Sequence, residues 1–571
     1  MTRYLGFSCS QHDPSVAVVD ESGAVVFAEA NERALKCKRG WHAPPDPFGV
    51  IGPILDAYLG DAPVSANLTW SRGALAASGP LSALSRVVLR AFEASGAPDA
   101  DLWRAWYFRH ALYRAPRSAS DLLLNLDVRL RERRGYRAPV PKRAWSHHLC
   151  HAATASYSSP FDEALCVVLD GMGEGGSTAV YRFAEDRLTR LDARQWTNLA
   201  SLGIFYSQVC FAIGFDPLAG EEWKVMGLAA YGTVDDELYA LLRPVVEVRG
   251  ERFRISRGNA SWFERLLAMR TRGYRANADL AATAQRVFED VLCEFLVAVH
   301  RKWPHANLIL SGGCALNSSA NGKVLASTPF ERLHVPAAPG DDGNSVGAAL
   351  LAWKRDHPDR TVPRCSSPYL GSRMRPESVQ RLRDHGMTPA LEAKSDDELT
   401  DAVARALAAG AIVGWVQGRA EFGPRALGHR SILADPRSPT VKERLNASVK
   451  FREEFRPFAP SILHEHGASW FEDYAASPYM ERTLRWCPDR APRGVRHVDG
   501  TGRLQSVTAE GSPLFHALIS KFHALTGVPI LLNTSFNVMG RPMVHDVEDV
   551  LGVFLTSDID MVVIDGCVFR K

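Results

Sequence analysis

The first thirty residues alternate short apolar runs with polar breaks. The runs YLGFS, SVAVVD and AVVFAEA are separated by CSQHDP and ESG, which carry turn-forming residues. Apolar runs of this length, bounded by turn formers, are typical of β-strands. The pattern therefore predicts that the fold begins with a β-meander.

Farther along, the apolar period becomes helical and the polar positions become basic. Between about Leu81 and Ala144 arginines line the polar side of the apolar positions, as in DLWRAWYFRHALYRAPR. We interpret residues of about 61–145 as a basic helical insert. Its arginines form either a solvated helix face or a lid that attracts anions.

Three later segments pair an apolar strand with a glycine-rich turn. In EALCVVLDGMGEGGSTAVYRF the first strand ends at Asp170, and a second strand follows the turn. ANLILSGGCALN and RLHVPAAPGDDGNSVGAALLAW repeat the order of strand, glycine turn and helix. Such repetition is typical of an α/β nucleotide-binding architecture.

Proline and polar residues over 353–371 interrupt the third of these units. Beyond them the chain has strands of its own, AIVGWVQ and VPILLNTSF, and a helix in DDELTDAVARALAAG. The pattern predicts two α/β domains, at 1–357 and 366–571.

Composition narrows the class of protein. Of 571 residues, 46% are hydrophobic and 23% charged, as in a globular protein. The net charge of +3 is too small to indicate nucleic acid or a membrane as partner. Ten scattered cysteines and the absence of an apolar run near the roughly 18 residues of a membrane span lead us to expect a cytoplasmic protein.

The stretch SHHLCHAATA places His147 and His151 four residues apart. On a helix they share one face, with their Cβ atoms about 5–6 Å apart. A zinc protease of the H-E-x-x-H type needs glutamate where His148 stands, so that reading fails. Carboxylates from Asp170 and from Asp341 or Asp342 would complete a site for iron(II), manganese or zinc. Core histidines satisfied by hydrogen bonds are the open alternative.

The glycine turns DGMGEGG, SGG and GDDGNS present backbone N–H groups that phosphate can accept. Each turn alone also serves to reverse the chain. None matches the P-loop pattern G-x-x-x-x-G-K-[ST], and the first turn links two strands rather than a strand and a helix, so a dinucleotide fingerprint is not supported either.

Cations are concentrated in GRAEFGPRALGHRSILADPRS and VKFREEFRPFAPSIL, which LLNTSFN follows. Arginine binds phosphate or carboxylate through two N–H groups, and the asparagines and serine of LLNTSFN can orient a carbonyl. The segment predicts a pocket for an anionic substrate, with a structural salt-bridge network as the alternative. The cations are Arg419, Arg425, Arg430, Lys450, Arg452 and Arg456.

Eight motifs resemble, in order, the ATP-dependent O-carbamoyltransferases of natural-product biosynthesis, the group that includes nodulation and tobramycin carbamoyltransferases. They are HHLCHAA, LDGMGE, KVMGLAAYG, SGGCALN, PGDDGNSVGAA, GRAEFGPRALGHRSI, REEFRPFAPS and LLNTSFN. The resemblance runs from about residue 4 to the end and is weakest at 61–145. GPRALGHRS and RPFAP are its most specific parts.

The resemblance implies an N-terminal domain of the actin, sugar-kinase and heat-shock-ATPase fold, with duplicated α/β halves. It implies a C-terminal α/β domain similar to threonylcarbamoyl-adenylate synthases. The implied reaction uses ATP, with Mg²⁺, and carbamoyl phosphate to form carbamoyl-adenylate, and then transfers the carbamoyl group to a hydroxyl of a small acceptor.

The resemblance also assigns residues in the C-terminal domain. Those that would hold the carbamoyl and phosphate groups are Arg419, Lys450, Arg456 and Ser535. Those that would support cofactor binding are Arg425, Arg430, Arg503, Asn533 and Asn537.

In the N-terminal domain the resemblance carries the metal ligands onto His147, His151, Asp170 and Asp341, with Fe²⁺ favoured over Mn²⁺ or Zn²⁺. Asp342 has no counterpart in the pattern. Residues that would border the nucleotide are Lys224, Gly312, Gly313, Asn317 and Gly343.

His12, in the QHDPS turn, is our candidate for the base that takes the proton of the acceptor hydroxyl, because imidazole titrates near neutral pH. A histidine that only bonds its own turn is the alternative. We expect no nucleic-acid partner, and a homodimer stays open. Two other functions compete: a tRNA-modifying threonylcarbamoyl enzyme and a nucleotide-binding protein without turnover.

Overall fold

The computed structural model of the protein describes residues 2–10, 12–41, 43–70, 123–174, 176–193, 200–255, 262–268 and 273–571. Most of the predicted insert, 71–122, lies outside these residues. The chain divides into two compact units. The first comprises Met1–Leu35, Arg39–Leu316 and Val324–Ser366, and the second comprises Lys36–Lys38, Asn317–Lys323 and Ser367–Lys571.

The first unit opens with a five-stranded sheet of order β3-β2-β1-β4-β5. β1, β2 and β3 pair antiparallel, which confirms the predicted β-meander, while β4 and β5 run parallel to β1. β1 and β2 are buried on both faces, as their continuous apolar runs require. The strands are β1 (Arg3–Ser8), β2 (Ser15–Val19), β3 (Val25–Ala30), β4 (Val64–Thr69) and β5 (Lys142–Trp145).

A second sheet in this unit repeats the first. Its order is β12-β11-β6-β7-β8, and its first three strands in sequence are again antiparallel, with two parallel strands added beside β6. The predicted duplication of α/β halves is therefore confirmed. The strands are β6 (Ala164–Gly173), β7 (Gly176–Ala184), β8 (Arg187–Arg190), β11 (Asn307–Ser311) and β12 (Arg332–His334); β9 (Val246–Val248) and β10 (Phe253–Ile255) form a separate pair.

Helices connect these strands. They are Asn31–Leu35, Phe48–Tyr58, Leu124–Arg134, His147–Ser158, Leu202–Ile213, Glu222–Ala229, Asp236–Leu242, Trp262–Leu267, Gly273–Lys302, Ser318–Ser327 and Asn344–Asp356. Among the helices of the described ranges, none combines the length and apolar character that crossing a membrane requires.

Two of these helices bring the halves of the unit together. We call His147–Ser158 the histidine helix and Asn344–Asp356 the Asn344 helix; they pack against each other, and the Asn344 helix also packs against β1. A β-carbon on Gly347 would overlap the carbonyl oxygen of Cys150. Glycine is therefore needed for the two helix backbones to approach this closely.

The predicted insert of about 61–145 is wrong at its ends, because β4 and β5 belong to the first sheet. β5 carries Lys142 and Arg143, which hide its strand character in the sequence. Lys142 pairs with Asp127, and Arg143 pairs with Asp356 at 2.7 Å. These carboxylates lie elsewhere in the sequence, so the local pattern could not reveal a strand with neutralised charges.

The second unit contains one nine-stranded mixed sheet, of order β13-β21-β20-β14-β15-β19-β16-β18-β17. The predicted strands of AIVGWVQ and VPILLNTSF are its β14 and β19. The strands are β13 (Leu391–Glu392), β14 (Val413–Val416), β15 (Arg430–Ala434), β16 (Ala459–Leu463), β17 (Arg482–Arg485), β18 (Thr501–Val507), β19 (Ile530–Ser535), β20 (Met561–Ile564) and β21 (Cys567–Arg570).

Helices cover this sheet. Asp396–Ala408 is the predicted helix, and it begins at Ser395, whose hydroxyl accepts the N–H of Glu398. It packs against Pro513–Thr526 over an apolar core that includes Trp415 and Phe522. The remaining helices are Ser378–Asp384, Val441–Leu445 and Val547–Thr556.

The close approach at Gly347 leads to a prediction. Gly347→Ala should lower the free energy of unfolding by about 1–3 kcal/mol, because the added methyl has no space in a packed helix contact. Thermal unfolding measures this effect. The control is Gly49→Ala, at an exposed position of the helix Phe48–Tyr58, where a β-carbon meets no atom within 4 Å. That change should stabilise slightly, and equal effects of the two substitutions would contradict the packing account.

Candidate functional site

The four predicted metal ligands come from three elements of the first unit. His147 and His151 lie in the first two turns of the histidine helix, and Asp170 lies in β6. Asp341 begins the short turn Asp341–Gly343 that leads into the Asn344 helix. One helix, one strand and one turn thus bring residues nearly 200 positions apart in the sequence to one point.

The ligand atoms converge there. His147 Nε2 lies 3.0 Å from Asp170 Oδ2, and His151 Nε2 lies 3.3 Å from Asp341 Oδ1. The two Nε2 atoms are 3.3 Å apart, and one atom from each of the four residues lies within 4.8 Å of the others. All four side chains are buried. We call these residues the His–Asp cluster.

The histidines and aspartates of the cluster shift one another's pKa values. Burial opposes it, but Asp341 and Asp170 raise the pKa of His147 to about 10. Burial and the neighbouring Asp341 oppose a fall at Asp170, but hydrogen bonds from both histidines lower its pKa. Asp170 and Asp341 are therefore both ionised although they are buried, and a buried carboxylate requires a nearby cation.

A second layer of contacts orients the ligands. The backbone N–H of Gly313 donates to Asp170 Oδ1 at 3.0 Å, and the N–H of His147 donates to Glu174 Oε2 at 2.9 Å. Trp70 stacks on the His147 ring, with centroids 4.7 Å apart. The amide of Asn344 meets His147 Nδ1 at 3.3 Å.

The donor set fits a divalent transition metal, since two imidazoles and two carboxylates match what Fe²⁺, Mn²⁺ or Zn²⁺ accepts. The Asn344 amide supplies a second test. Its Oδ1 is buried without a hydrogen-bond partner. Turned by 180°, that oxygen would accept the Nδ1–H of an imidazole that binds a metal through Nε2.

The candidate base His12 lies beside the cluster. Its Nδ1 is 4.0 Å from Asp341 Oδ2 and 2.7 Å from Asp13 Oδ2. Arg39 Nη2 donates to the Asp13 carboxylate at 3.1 Å and also lies 2.9 Å from His12 Nδ1. If Nδ1–H donates to Asp13, Nε2 is the nitrogen left to accept a proton.

The glycine turns meet the cluster directly. Gly312 has φ of 91°, a left-handed conformation that favours glycine, and a β-carbon there would overlap Leu169. The Gly343 carbonyl accepts the hydroxyl of Thr154 at 2.7 Å. Asn317 Oδ1 accepts the N–H of Ala320 at 3.1 Å, as a cap of the following helix. Nucleotide contact by these residues stays a prediction.

The remaining N-terminal candidates lie as follows. Lys224 is buried and pairs with Glu221 at 2.6 Å. Burial and His147 lower the pKa of His148 to about 3, so this ring is neutral. Burial raises the pKa of Asp342 to about 7, and its Oδ1 accepts the N–H of Gly343. Neither His148 nor Asp342 belongs to the His–Asp cluster.

A second group of charges lies in the second unit. Lys450 is buried, with 2% of its surface exposed, and its ammonium donates to the Ser535 carbonyl at 2.8 Å, to the Asn537 carbonyl at 2.9 Å and to Asn537 Oδ1. Burial, and then repulsion from Arg452 and Arg456, lowers the pKa of Lys450. Lys450, Ser535 and Asn537 thus form one contact set.

Arginines surround this lysine. Burial, and then repulsion from Arg425, Arg452 and Arg456, lowers the pKa of Arg503. Its Nε is buried without a hydrogen-bond partner. Groups that disfavour one another's charge in this way are stabilised by an anion. We call the group Lys450, Arg425, Arg452, Arg456 and Arg503 the cation cluster.

Two predicted arginines make backbone contacts instead. Arg430 is fully buried and donates to the carbonyls of Gln417 and Ser372, at 2.9 and 3.0 Å. Arg419 donates to the carbonyls of Gly371 and Leu370. Both hold turns of the second unit, so substrate contact by either residue stays a prediction.

Asn533 joins a buried polar network. Its Nδ2 donates to Ser461 Oγ at 3.0 Å and to Gln505 Oε1 at 3.1 Å, across β16, β18 and β19. Its Oδ1 is buried without a partner. The side chain is therefore fixed in place with one acceptor available.

Several residues escaped the sequence reasoning. Asp13, Glu174 and Asn344 stand inside or beside motifs that were singled out, so their position was a usable signal. Glu421 lies in the GRAEFGPRALGHRSI motif and is buried; its Oε1 accepts the N–H groups of Leu427 and His429, at 2.6 and 2.9 Å. Trp70 carries no local signal.

Replacing a ligand of the His–Asp cluster should weaken metal binding. We expect His151→Gln to lower the affinity for Fe²⁺, Mn²⁺ or Zn²⁺ by more than the roughly 10- to 100-fold typical of an outer-layer partner such as Asn344. Titration calorimetry and elemental analysis measure this. His334→Gln is the control, because that buried histidine contacts Ser158 outside the cluster. Wild-type affinity in His151→Gln would refute the site.

The chain was compared with known proteins. Residues 124–350 match the model of the carbamoyltransferase N-terminus, and residues 404–571 match that of the carbamoyltransferase C-terminus. Two solved structures show remote similarity. The activator of 2-hydroxyisocaproyl-CoA dehydratase from Clostridium difficile, with bound ADPNP, has a TM-score of 0.35 and 14% identity over 62% of this chain and 96% of its own. HypF from T. kodakarensis has a TM-score of 0.32 and 14% identity over 63% and 49%.

Relatives in sequence cover more of the chain. Protein sll1178 of Synechocystis is 32% identical across 100% of this chain and 97% of its own. Nodulation protein NolO of Bradyrhizobium diazoefficiens is 36% identical across 75% and 79%, and nodulation protein U of Sinorhizobium fredii is 31% identical across 70% and 73%. With both domain models matched, the chain belongs to the carbamoyltransferase family.

Proposed function

We propose that this carbamoyltransferase is an O-carbamoyltransferase with two half-reactions. In the first half-reaction, carbamoyl-adenylate is made from ATP and carbamoyl phosphate by the second unit. The balanced reaction consumes one water and releases phosphate and pyrophosphate. In the second half-reaction, which takes place in the first unit, the carbamoyl group passes to a hydroxyl of a small natural-product acceptor and AMP leaves.

The cation cluster is the observation that carries the proposal. Burial, and then repulsion among its cations, lowers the pKa of Lys450 and of Arg503. A triphosphate and a carbamoyl phosphate bring the negative charge that such a group requires, and arginine binds phosphate oxygens bidentately. A neutral substrate would leave the repulsion unrelieved.

The proposal assigns tasks to four of the five residues of the cation cluster and to Ser535. Lys450 and Arg456 hold the transferring phosphate and the carbamoyl oxygen, and Ser535, whose hydroxyl donates to Asn537 Oδ1 at 2.8 Å, completes the carbamoyl site. Arg425 and Arg503 bind the outer phosphates. Electrostatic stabilisation of developing charge by fixed donors is the main catalytic contribution here.

The His–Asp cluster serves the transfer step. A divalent metal held by His147, His151, Asp170 and Asp341 would neutralise charge on the phosphate of the leaving group. Gly313 positions Asp170, and Asn344 and Glu174 position His147. These contacts keep the donors in place before substrate arrives.

His12 takes the proton of the acceptor hydroxyl. Asp13 holds one nitrogen of the ring, and Arg39 holds Asp13, so the second nitrogen has a fixed direction. A base fixed in this way contributes about 10²- to 10⁴-fold to a transfer step.

Binding of tRNA, the competing function, would draw support from the basic segment. In its described part, Lys142 and Arg143 pair with carboxylates. Paired cations attract phosphate weakly, so these residues favour the small-acceptor reaction.

The first half-reaction gives a direct test. The wild-type protein with ATP, Mg²⁺ and carbamoyl phosphate should yield carbamoyl-adenylate and pyrophosphate, both measured by mass spectrometry. Lys450→Ala and Arg456→Ala should each lower the rate about 10²- to 10³-fold, because each removes a donor to developing charge. Lys521→Ala, which removes an exposed lysine paired with Asp397, is the control and should keep the wild-type rate. Absence of both products from the wild-type protein would sink the proposal.

The transfer step gives a separate test. His12→Gln should slow carbamate-ester formation about 10²- to 10⁴-fold while carbamoyl-adenylate still forms, because only the transfer step needs a base. Chromatography of both products with a panel of acceptor alcohols measures the split. His305→Gln, remote from the cluster in the sequence and half-buried, is the control. Unimpaired ester formation in His12→Gln would remove the base assignment.

A further inference from the structure

Two large apolar side chains are exposed beside Lys450. Phe451 is 48% exposed and Met539 is 51% exposed, both among the most exposed large hydrophobic residues of the described chain. The N–H of Met539 donates to the carbonyl of Lys450 at 3.1 Å, and Phe451 follows Lys450 in the chain. Both residues therefore flank the backbone of Lys450, whose side chain is buried.

The backbone at this position is strained. Residues Asn446–Lys450 form one turn of π-helix, and Phe451 ends it with φ of 50° and ψ of 54°. An aromatic residue rarely adopts this left-handed conformation, and π-turns are frequent at functional sites. Glycine would adopt the same conformation without strain. The chain thus keeps a bulky ring where neither packing nor backbone geometry favours it.

The charged residues on either side of Phe451 point to a role for its ring in binding a ligand. Lys450 lies on one side of Phe451 in the chain and Arg452 on the other, and both belong to the cation cluster. Every nucleobase has an apolar π-face, and stacking on an aromatic ring contributes to binding of nucleotides without regard to sequence. Methionine is flexible and polarisable, so it fits against an aromatic base.

We propose that Phe451 and Met539 form the platform on which the purine ring of the ATP substrate stacks while the cation cluster holds its phosphates. This inference rests on the proposed adenylate-forming reaction and assigns its base subsite. The platform contributes affinity for the base of the nucleotide. It takes no part in the chemistry at the α-phosphorus.

The test is the first half-reaction, followed by pyrophosphate release at varied ATP. Phe451→Ala should raise the KM for ATP about 5- to 100-fold, the range for loss of one base–aromatic stack, with kcat little changed. Phe451→Trp, which keeps an aromatic ring, should leave the KM for ATP at the wild-type value. Inorganic tripolyphosphate, which has phosphates but no base, should inhibit the wild-type protein and Phe451→Ala with equal potency.

Phe451→Gly separates stacking from folding. Because glycine relieves the left-handed strain, this variant should unfold at the same temperature as the wild-type protein or a higher one, and still show the raised KM. Leu525→Ala, which shortens another large side chain of the second unit that is 45% exposed, is the control for general surface loss.

The outcomes are distinguishable. A wild-type protein that releases no pyrophosphate overturns the proposed function and this inference with it. An active wild-type protein whose KM for ATP is unchanged in Phe451→Ala and Phe451→Gly overturns the platform alone. The platform is also overturned if Phe451→Ala weakens ATP binding and inhibition by tripolyphosphate by the same factor. The ring would then act through the phosphate site.

Discussion

Both candidate sites of this carbamoyltransferase hold charged side chains that lie close together and are buried or half-buried. In the first unit, Asp170 and Asp341 are ionised within a cluster whose histidines are drawn toward protonation. In the second, Lys450 and Arg503 are held among other cations. Burial of charge that is not fully compensated costs free energy, and the fold must supply it elsewhere. Under the proposed function, a divalent metal in the first unit and phosphate in the second would reduce that cost.

The surrounding structure holds these charges in place. In the first unit, Gly347 lets the histidine helix approach the Asn344 helix, and Gly6 lets β1 approach the same helix at Ser345. In the second, Arg430 gathers backbone carbonyls around one guanidinium, and Glu421 does the same for N–H groups. These contacts fix the backbone around both candidate sites, and electrostatic catalysis depends on groups that are fixed in this way.

The sequence was sufficient where the signal is local. The β-meander and the repeated strand and glycine turn follow from apolar period and turn residues, and the duplicated halves confirm them. β5 was missed because Lys142 and Arg143 are neutralised by distant carboxylates. Spacing could not choose between Asp341 and Asp342, since both share one turn; the resemblance chose Asp341, and its carboxylate lies in the cluster.

The sequence alone also could not separate arginines with different contacts. Composition marks Arg419, Arg430 and Arg456 alike, yet two of them bind the carbonyls of 370–372 and 417, and one lies in the cation cluster. That difference depends on which backbone each side chain meets in three dimensions. Phe451 likewise reads as an ordinary apolar residue until its exposure and its φ of 50° are known.

The central claim is that two chemically separate half-reactions are divided between the two units. Isotopic labelling of the carbamoyl group in His151→Asn, with elemental analysis to verify metal loss, tests it most directly. The account predicts labelled carbamoyl-adenylate at a rate near that of the wild-type protein, and carbamate ester reduced about 100-fold or more. Equal loss of adenylate and ester from a folded His151→Asn protein would contradict the division.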